Sequence, residues 1–341
     1  MRQSKKLNNL TSGSKKKFLP INVFGKNVDD SYSAKDTMKQ AELDYIVIKQ
    51  QLEYNHKPVN AFGTFKNGSE FLGSVGGSYK VIQNRDMFNF ADSIISASGG
   101  EYLSAGEVDN GRQIFATAKL PDSDFSIGNN GDDYNNYLCF MGSHDGSLTN
   151  QIRLINLRVA CNNGLIHVAN NRRLKAIKHS GNITIKLKNA QKDVKMLLET
   201  QNNIKMKLDK MSKTKLTHQS LVSFMGYFLG ANWNRSSNWR KQLQVSQIAE
   251  LYANPEIKSQ GGTIYALLNA ITNYYDHVRT MCKKDVTEAE KIKSAYFGNA
   301  VKHKKNAFDC LYNITNSAPP INSSIDKSVI DIMDHTEFDP V

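Results

Sequence analysis

The sequence predicts an α+β protein: a twisted antiparallel β-sheet with a packed helix and a hairpin, followed by a mostly helical C-terminal half. Three observations carry this. Between residues 60 and 161, short runs rich in β-branched and aromatic residues alternate with Gly, Asn and Asp, the punctuation of antiparallel strands. Asp109-Asn110-Gly111 separates two such runs and supplies the residues that tolerate positive φ in a tight hairpin. From 187 to 211 the apolar positions Leu187, Ala190, Val194, Leu197, Ile204, Leu208 and Met211 follow three- and four-residue spacing, which is helical.

Taken in order, residues 1–20 read as a disordered basic arm, because lysines are interspersed with Gly, Ser and Asn. A helix is expected over 33–54, with Ser33 as its N-cap. Strands are expected at 60–65 and 78–84, where aromatic and β-branched residues are bounded by Gly. Met87, Phe90 and Ile94 are spaced helically, and Gly99-Gly100 stops that helix because Gly accepts the left-handed cap. The hairpin arms are 101–108 and 112–120, and two more strands follow at 136–146 and 152–161. In the last, Ile152, Leu154, Leu157 and Val159 enclose Arg153 and Arg158, while Ile155-Asn156 breaks the alternation. The heptad-like seam of 187–211, interrupted by Gln201, suits packing against a partner helix or a second copy. Further helices are expected at 216–229, 237–252, 261–282 and 287–313, and Pro319-Pro320 ends the folded part. The expected organisation is therefore arm 1–20, α+β core 21–186, helical region 187–318 and an acidic, disordered tail 319–341.

The net charge of +12 is unevenly distributed. Residues 1–20 hold six cations and no acid, 172–215 hold thirteen cations against Asp193, Glu199 and Asp209, and 325–341 hold five acids against Lys327. A block as basic as 172–215 needs a polyanion or counterions, and nucleic acid is the commonest such partner because phosphate contacts release condensed counterions. No apolar run reaches membrane-helix length and MRQSKKLNNL lacks a signal-peptide core, so a soluble cytoplasmic protein without a membrane partner is expected. Cys139, Cys161, Cys282 and Cys310 are far apart, which excludes zinc ribbons and dense disulfide scaffolds.

Motifs for chemistry are sparse. GxxxxGK[ST], HExxH, GxSxG, the deaminase pattern and a post-strand GxGxxG are absent. His144-Asp145, with Asp132 and Asp133, is the residual metal candidate, although Gly142-Ser143-His144-Asp145-Gly146 also reads as a turn. No cofactor is expected. Trp233 and Trp239 beside Arg235, Arg240 and Lys241 form a better pattern, since unstacked bases lie on such rings; the alternative is that both Trp anchor the core. Phe62, Phe65 and Tyr79 carry the same two readings. In 325–341 the acids are interleaved with Ile330, Ile332, Met333 and Phe338, which suits shielding of a basic groove, docking on a partner, or simple solubility.

Four segments stand in order: Gly77-Ser78-Tyr79-Lys80-Val81-Ile82-Gln83-Asn84; Gly111-Arg112-Gln113-Ile114-Phe115-Ala116 leading to Lys119-Leu120-Pro121; Tyr137-Leu138 running to Ser143-His144-Asp145-Gly146; and Leu157-Arg158-Val159-Ala160-Cys161-Asn162-Asn163. Through them the stretch from about 73 to 190 resembles the phage/plasmid-like domain-of-unknown-function family numbered nine-three-two, leaving the helical half outside. Asn110 replaces the first of the family's paired glycines, and Leu157 stands where a proline often does. The resemblance implies a phage or plasmid setting near DNA replication and recombination. It also implies a fold similar to the RecT/Redβ group of single-strand annealing proteins.

The resulting expectation is a non-enzymatic single-stranded DNA-binding protein that promotes strand annealing without nucleotide hydrolysis. Arg153, Arg158, Arg172, Arg173, Lys175, Lys178, Lys186 and Lys188 would contact phosphate. Trp233 and Trp239 would stack bases, flanked by Arg235, Arg240 and Lys241, and helix 187–211 would drive homo-oligomerisation. The acidic tail would shield the groove or recruit a replication or recombination protein, in the host cytoplasm if the element is a phage. The alternatives are a metal-dependent nuclease using His144 and Asp145, and a non-catalytic RNA-binding or host-interaction protein.

Overall fold

The computed structural model describes residues 20–28, 33–120, 123–128, 131–160, 164–168, 190–229, 239–254, 257, 260–279 and 287–316. Its strands are β1 (Gly25–Asn27), β2 (Val47–Tyr54), β3 (Lys57–Lys66), β4 (Glu70–Val75), β5 (Glu101–Val108), β6 (Gln113–Lys119), β7 (Phe125–Ile127), β8 (Asp132–Ser143), β9 (Gln151–Arg158) and β10 (Gly164–Val168). Its α-helices are α1 (Ala34–Gln40), α2 (Asn84–Ser98), α3 (Ala190–Lys213), α4 (His218–Leu229), α5 (Trp239–Ala253), α6 (Ile264–Asn273), α7 (Glu288–Tyr296) and α8 (Asn299–Asn316). A 3-10 turn spans Pro20–Phe24 and a π-helical turn spans Tyr274–Val278. The class is α+β, with helices dominating the C-terminal half.

An antiparallel seven-stranded sheet forms the centre, in the order β1-β5-β6-β8-β9-β10 with β7 paired to β8. Asp109, Asn110 and Gly111 all take positive φ and close the β5–β6 hairpin, as their composition predicts. Strand alternation sends Ile114, Leu138, Phe140, Ile152 and Leu154 to one face, under α1, α2, α3 and α6. Phe115, Tyr137, Cys139, Met141, Ile155 and Leu157 go to the other, beneath Ile21, Ala295, Tyr296 and Val301. β9 is therefore buried on both sides, and the expected break at Ile155-Asn156 is corrected: alternation continues, with apolar residues on each face.

A second, three-stranded sheet has the order β2-β3-β4. It corrects the helix expected over 33–54. Ser33 does cap α1, accepting from the Asp36 amide at 3.2 Å. The helix ends at Gln40, Glu42 takes φ 57°, and Val47-Ile48 opens a strand that suits β-branched residues. Asn55 and His56, both at positive φ, turn β2 into β3. The strand expected at 78–84 is instead irregular chain up to Gln83, where a side chain takes the place of strand pairing, and Asn84 opens α2. Gln83 Oε1 accepts from the Val47 amide at 3.0 Å, and Gln83 Nε2 donates to the Val47 carbonyl at 2.9 Å. The helix expected over 287–313 is two helices, α7 opening on a Thr287/Glu290 capping box and ending at Tyr296, with Phe297 as its C-cap.

The seam of α3 corrects a further expectation. Leu197, Ile204, Leu208 and Met211 are buried in the first face's core, so these four positions pack within the chain rather than on a second copy. Its polar interruption finds one partner there: Asn156 donates to Gln201 Oε1 at 3.1 Å and to Asn136 Oδ1. Among the described residues no helix is long and apolar enough to cross a membrane.

Candidate nucleic-acid interface

The expected phosphate-binding residues fall into three groups. Arg172, Arg173, Lys175, Lys178, Lys186 and Lys188 lie outside the described residues, as do Trp233 and Arg235. Arg153 and Arg158 are described and are corrected. Both sit on the interior strand β9 at 4% exposure, where no phosphate reaches them. Arg153 donates to the Tyr296 carbonyl and to Gln151 Oε1, and burial pulls its pKa down to about 10, which leaves it charged at neutral pH. Arg158 Nε meets both oxygens of Asp132 at 2.8 and 2.7 Å. Asp132 also accepts from the Tyr265 hydroxyl at 2.5 Å, and Tyr265 pairs with Tyr134 at 2.9 Å. Burial, with the neighbouring Tyr134 and Asp132, pushes the Tyr265 hydroxyl well above its usual pKa. Asp132, expected to join a metal cluster, thus holds a buried ion pair.

The third group is accessible. Trp239 opens α5 at 60% exposure, with the Arg240 guanidinium 5.4 Å from its ring centre, so the core-anchor reading does not hold for this Trp. Lys241 beside it is half-buried. On α3 the face away from the buried seam exposes Lys195, Lys205, Lys210 and Lys213, and Lys215 follows on the chain. The expected phosphate contacts of this stretch stopped at Lys188 and missed all five. The signal was the charge of 172–215, which the structure carries onto a helical face. Lys207 turns inward, over the rings of Phe308 (5.8 Å) and Tyr312 (4.7 Å) of α8. A groove of about 910 Å³ between α1 and the start of α2 is the competing recess. There Lys35, Lys39 and Arg85 are offset by Asp44 and Asp86, so it lacks a one-signed lining.

His144-Asp145 forms the turn. Gly146 takes φ 76°, and Asp145 Oδ1 accepts from the Ser147 amide at 2.9 Å. His144 is 2% exposed, its Nε2 is 2.7 Å from Asn84 Oδ1, its amide donates to the Arg112 carbonyl and its carbonyl accepts from Thr64. Tyr79 donates to the Ser143 carbonyl at 3.1 Å, and burial raises its hydroxyl pKa. Phe62 lies under the Lys49 ammonium, while Phe65 and Phe71 meet edge to face at 5.6 Å on the outer side of the small sheet. Among the described residues no three His, Cys, Asp or Glu side chains are grouped to hold a metal ion.

The segments containing Tyr79 and Asn84, Arg112, and Ser143–Gly146 thus meet at one buried joint, where the three-stranded sheet is fastened to the end of the large one. A family model described as Domain of unknown function (DUF932) matches residues 71–296. The chain belongs to the DUF932 family. No curated protein and no solved structure matches it. The DUF932 match begins within β4 and runs to the last residue of α7, which corrects the expectation that the helical half lies outside the family. The residues of the joint just named lie within the match, whereas β1, α1, β2, β3 and α8 lie outside it.

Proposed function

We propose that the protein binds single-stranded DNA on the lysine face of α3 and promotes strand annealing without nucleotide hydrolysis. The observation that supports this reading best is the division of α3: one face is consumed by the core and the other presents lysines. A rigid helix with a row of flexible ammonium groups follows a phosphate backbone without reading bases, which leaves the bases free to pair. Trp239, exposed and flanked by Arg240, offers a ring on which a base stacks. The annealing step rests on the expected similarity to RecT/Redβ-type proteins, and the phage or plasmid setting on the resemblance to the family numbered nine-three-two.

The test is binding to fluorescent single-stranded and duplex oligonucleotides across a salt series, with and without magnesium. The expected result is single-strand preference, a steep negative salt dependence and intact oligonucleotide. Replacing Lys195, Lys205 and Lys213 by Gln should lower the salt slope by about 2, since each lost single-strand phosphate contact removes roughly 0.7. Trp239→Ala should cost about 1–3 kcal/mol of binding. Salt-independent binding would indicate a protein partner instead, and magnesium-dependent cleavage would turn the reading to a nuclease.

A further inference from the structure

We infer that the acidic C-terminal segment, residues 325–341, folds back onto the outer face of α3 and competes there with nucleic acid. This rests on the reading of that face as a phosphate-binding surface and adds its regulation. Three observations converge. The first is where the chain leaves the described structure: Asn316, the last residue of α8, accepts a hydrogen bond from Lys210 on α3. Everything that follows in sequence therefore starts beside the lysine face. The second is charge, since Asp326, Asp331, Asp334, Glu337 and Asp339 stand against Lys327 alone. The third is that the face is not purely cationic: Leu198 and Met206 are 40% and 59% exposed on the same helix. A phosphate backbone gains nothing from them, but a segment that interleaves its acids with Ile330, Ile332, Met333 and Phe338 does.

Geometry permits the contact. The acids lie 10 to 23 residues beyond Asn316, and ten residues can extend up to roughly 33 Å. α3, with 24 residues, is about 36 Å long, so the acids reach its C-terminal half without strain. Tethering holds such a segment near millimolar effective concentration, so a contact of only ~0.1 mM intrinsic affinity would weaken nucleic-acid binding about tenfold.

The experiment uses the full chain with Asp326→Asn, Asp331→Asn, Asp334→Asn, Glu337→Gln and Asp339→Asn combined. At low salt its dissociation constant for a fluorescent thymidine oligonucleotide should fall about tenfold relative to the unaltered protein, and the gap should close at high salt. A synthetic peptide of residues 325–341 should bind this variant in the absence of DNA and displace the oligonucleotide. Adding Leu198→Ser and Met206→Ser should weaken the peptide while sparing the oligonucleotide. Equal oligonucleotide affinity with no peptide binding overturns the inference and leaves DNA binding standing. If neither protein binds the oligonucleotide, the DNA reading falls, and the peptide measurement alone decides whether the tail contact exists.

Discussion

In the large sheet every residue of β9 from Ile152 to Arg158 is buried, whereas in the small sheet β2 buries Val47 alone. Ile48 and Phe71, on the small sheet's outer side, are 41% and 49% exposed. Both sheets are antiparallel, so pairing does not explain the difference; covering does. The large sheet is closed by helices on both faces and rests on apolar burial. The small sheet stands on polar contacts at its base: Thr64 to the His144 carbonyl at 2.7 Å, Lys66 to Glu107 at 3.1 Å, and Gln83 to the Val47 backbone. The two sheets thus rest on different kinds of contact, and Tyr79, Asn84, Arg112 and His144 sit where they meet.

The sharpest contrast should come from paired truncations. Phe140→Ala, in the large core, should cost about 3–5 kcal/mol in chemical denaturation. Phe71→Ala, on the open face, should stay within roughly 0.5 kcal/mol; comparable costs would erase the distinction. Arg158→Ala should cost about 3 kcal/mol, because it strands the Asp132 carboxylate, and the double variant with Asp132→Asn should recover part of that loss. His144→Ala should cost about 1–3 kcal/mol and raise hydrogen exchange in β2–β4 well before β5–β9; uniform exchange would mean the joint does not divide the regions. The smallest effect is one of pH. His303 stacks on Tyr275, with ring centres 5.1 Å apart, and burial first, then Arg279 and Lys302, hold its pKa below 6.5. The folded state keeps it neutral, so stability is complete above 6.5 and falls as pH drops below it. His303→Gln should flatten that part of the denaturation profile, without changing exchange in the small sheet.

Local signals were legible wherever the backbone itself demanded a residue type. Asp109-Asn110-Gly111 and the Gly99 cap, at φ 67°, are read from conformational permission, which needs no tertiary context. The α3 seam was legible in spacing but not in destination, because the same stripe packs equally well on a sheet or on a second copy. β2 was missed because Ala34–Gln40 and Val47–Tyr54 join in sequence without a Gly or Pro between them, and Glu42 supplied the positive φ instead. Arg153 and Arg158 misled for a different reason. An arginine in an alternating strand normally faces water, and only the presence of Tyr296 and Asp132 across each face made burial possible. Those partners lie 143 and 26 residues away, beyond the reach of any local pattern.

Lys304 carries a consequence for the order in which the chain can be completed during synthesis. Its ammonium, wholly buried on α8, meets the Asp276 carboxylate at 2.5 Å and the Gly164 carbonyl at 2.6 Å, while Asp276 accepts from the Gly164 amide at 2.9 Å. Until the ribosome has released α8, the first residue of β10 and the π-helical turn lack the cation that neutralises Asp276. The far edge of the large sheet is thus sealed by the last described helix to emerge. A nascent chain can assemble the β5–β6 hairpin early, but closes this core only once α8 has been made.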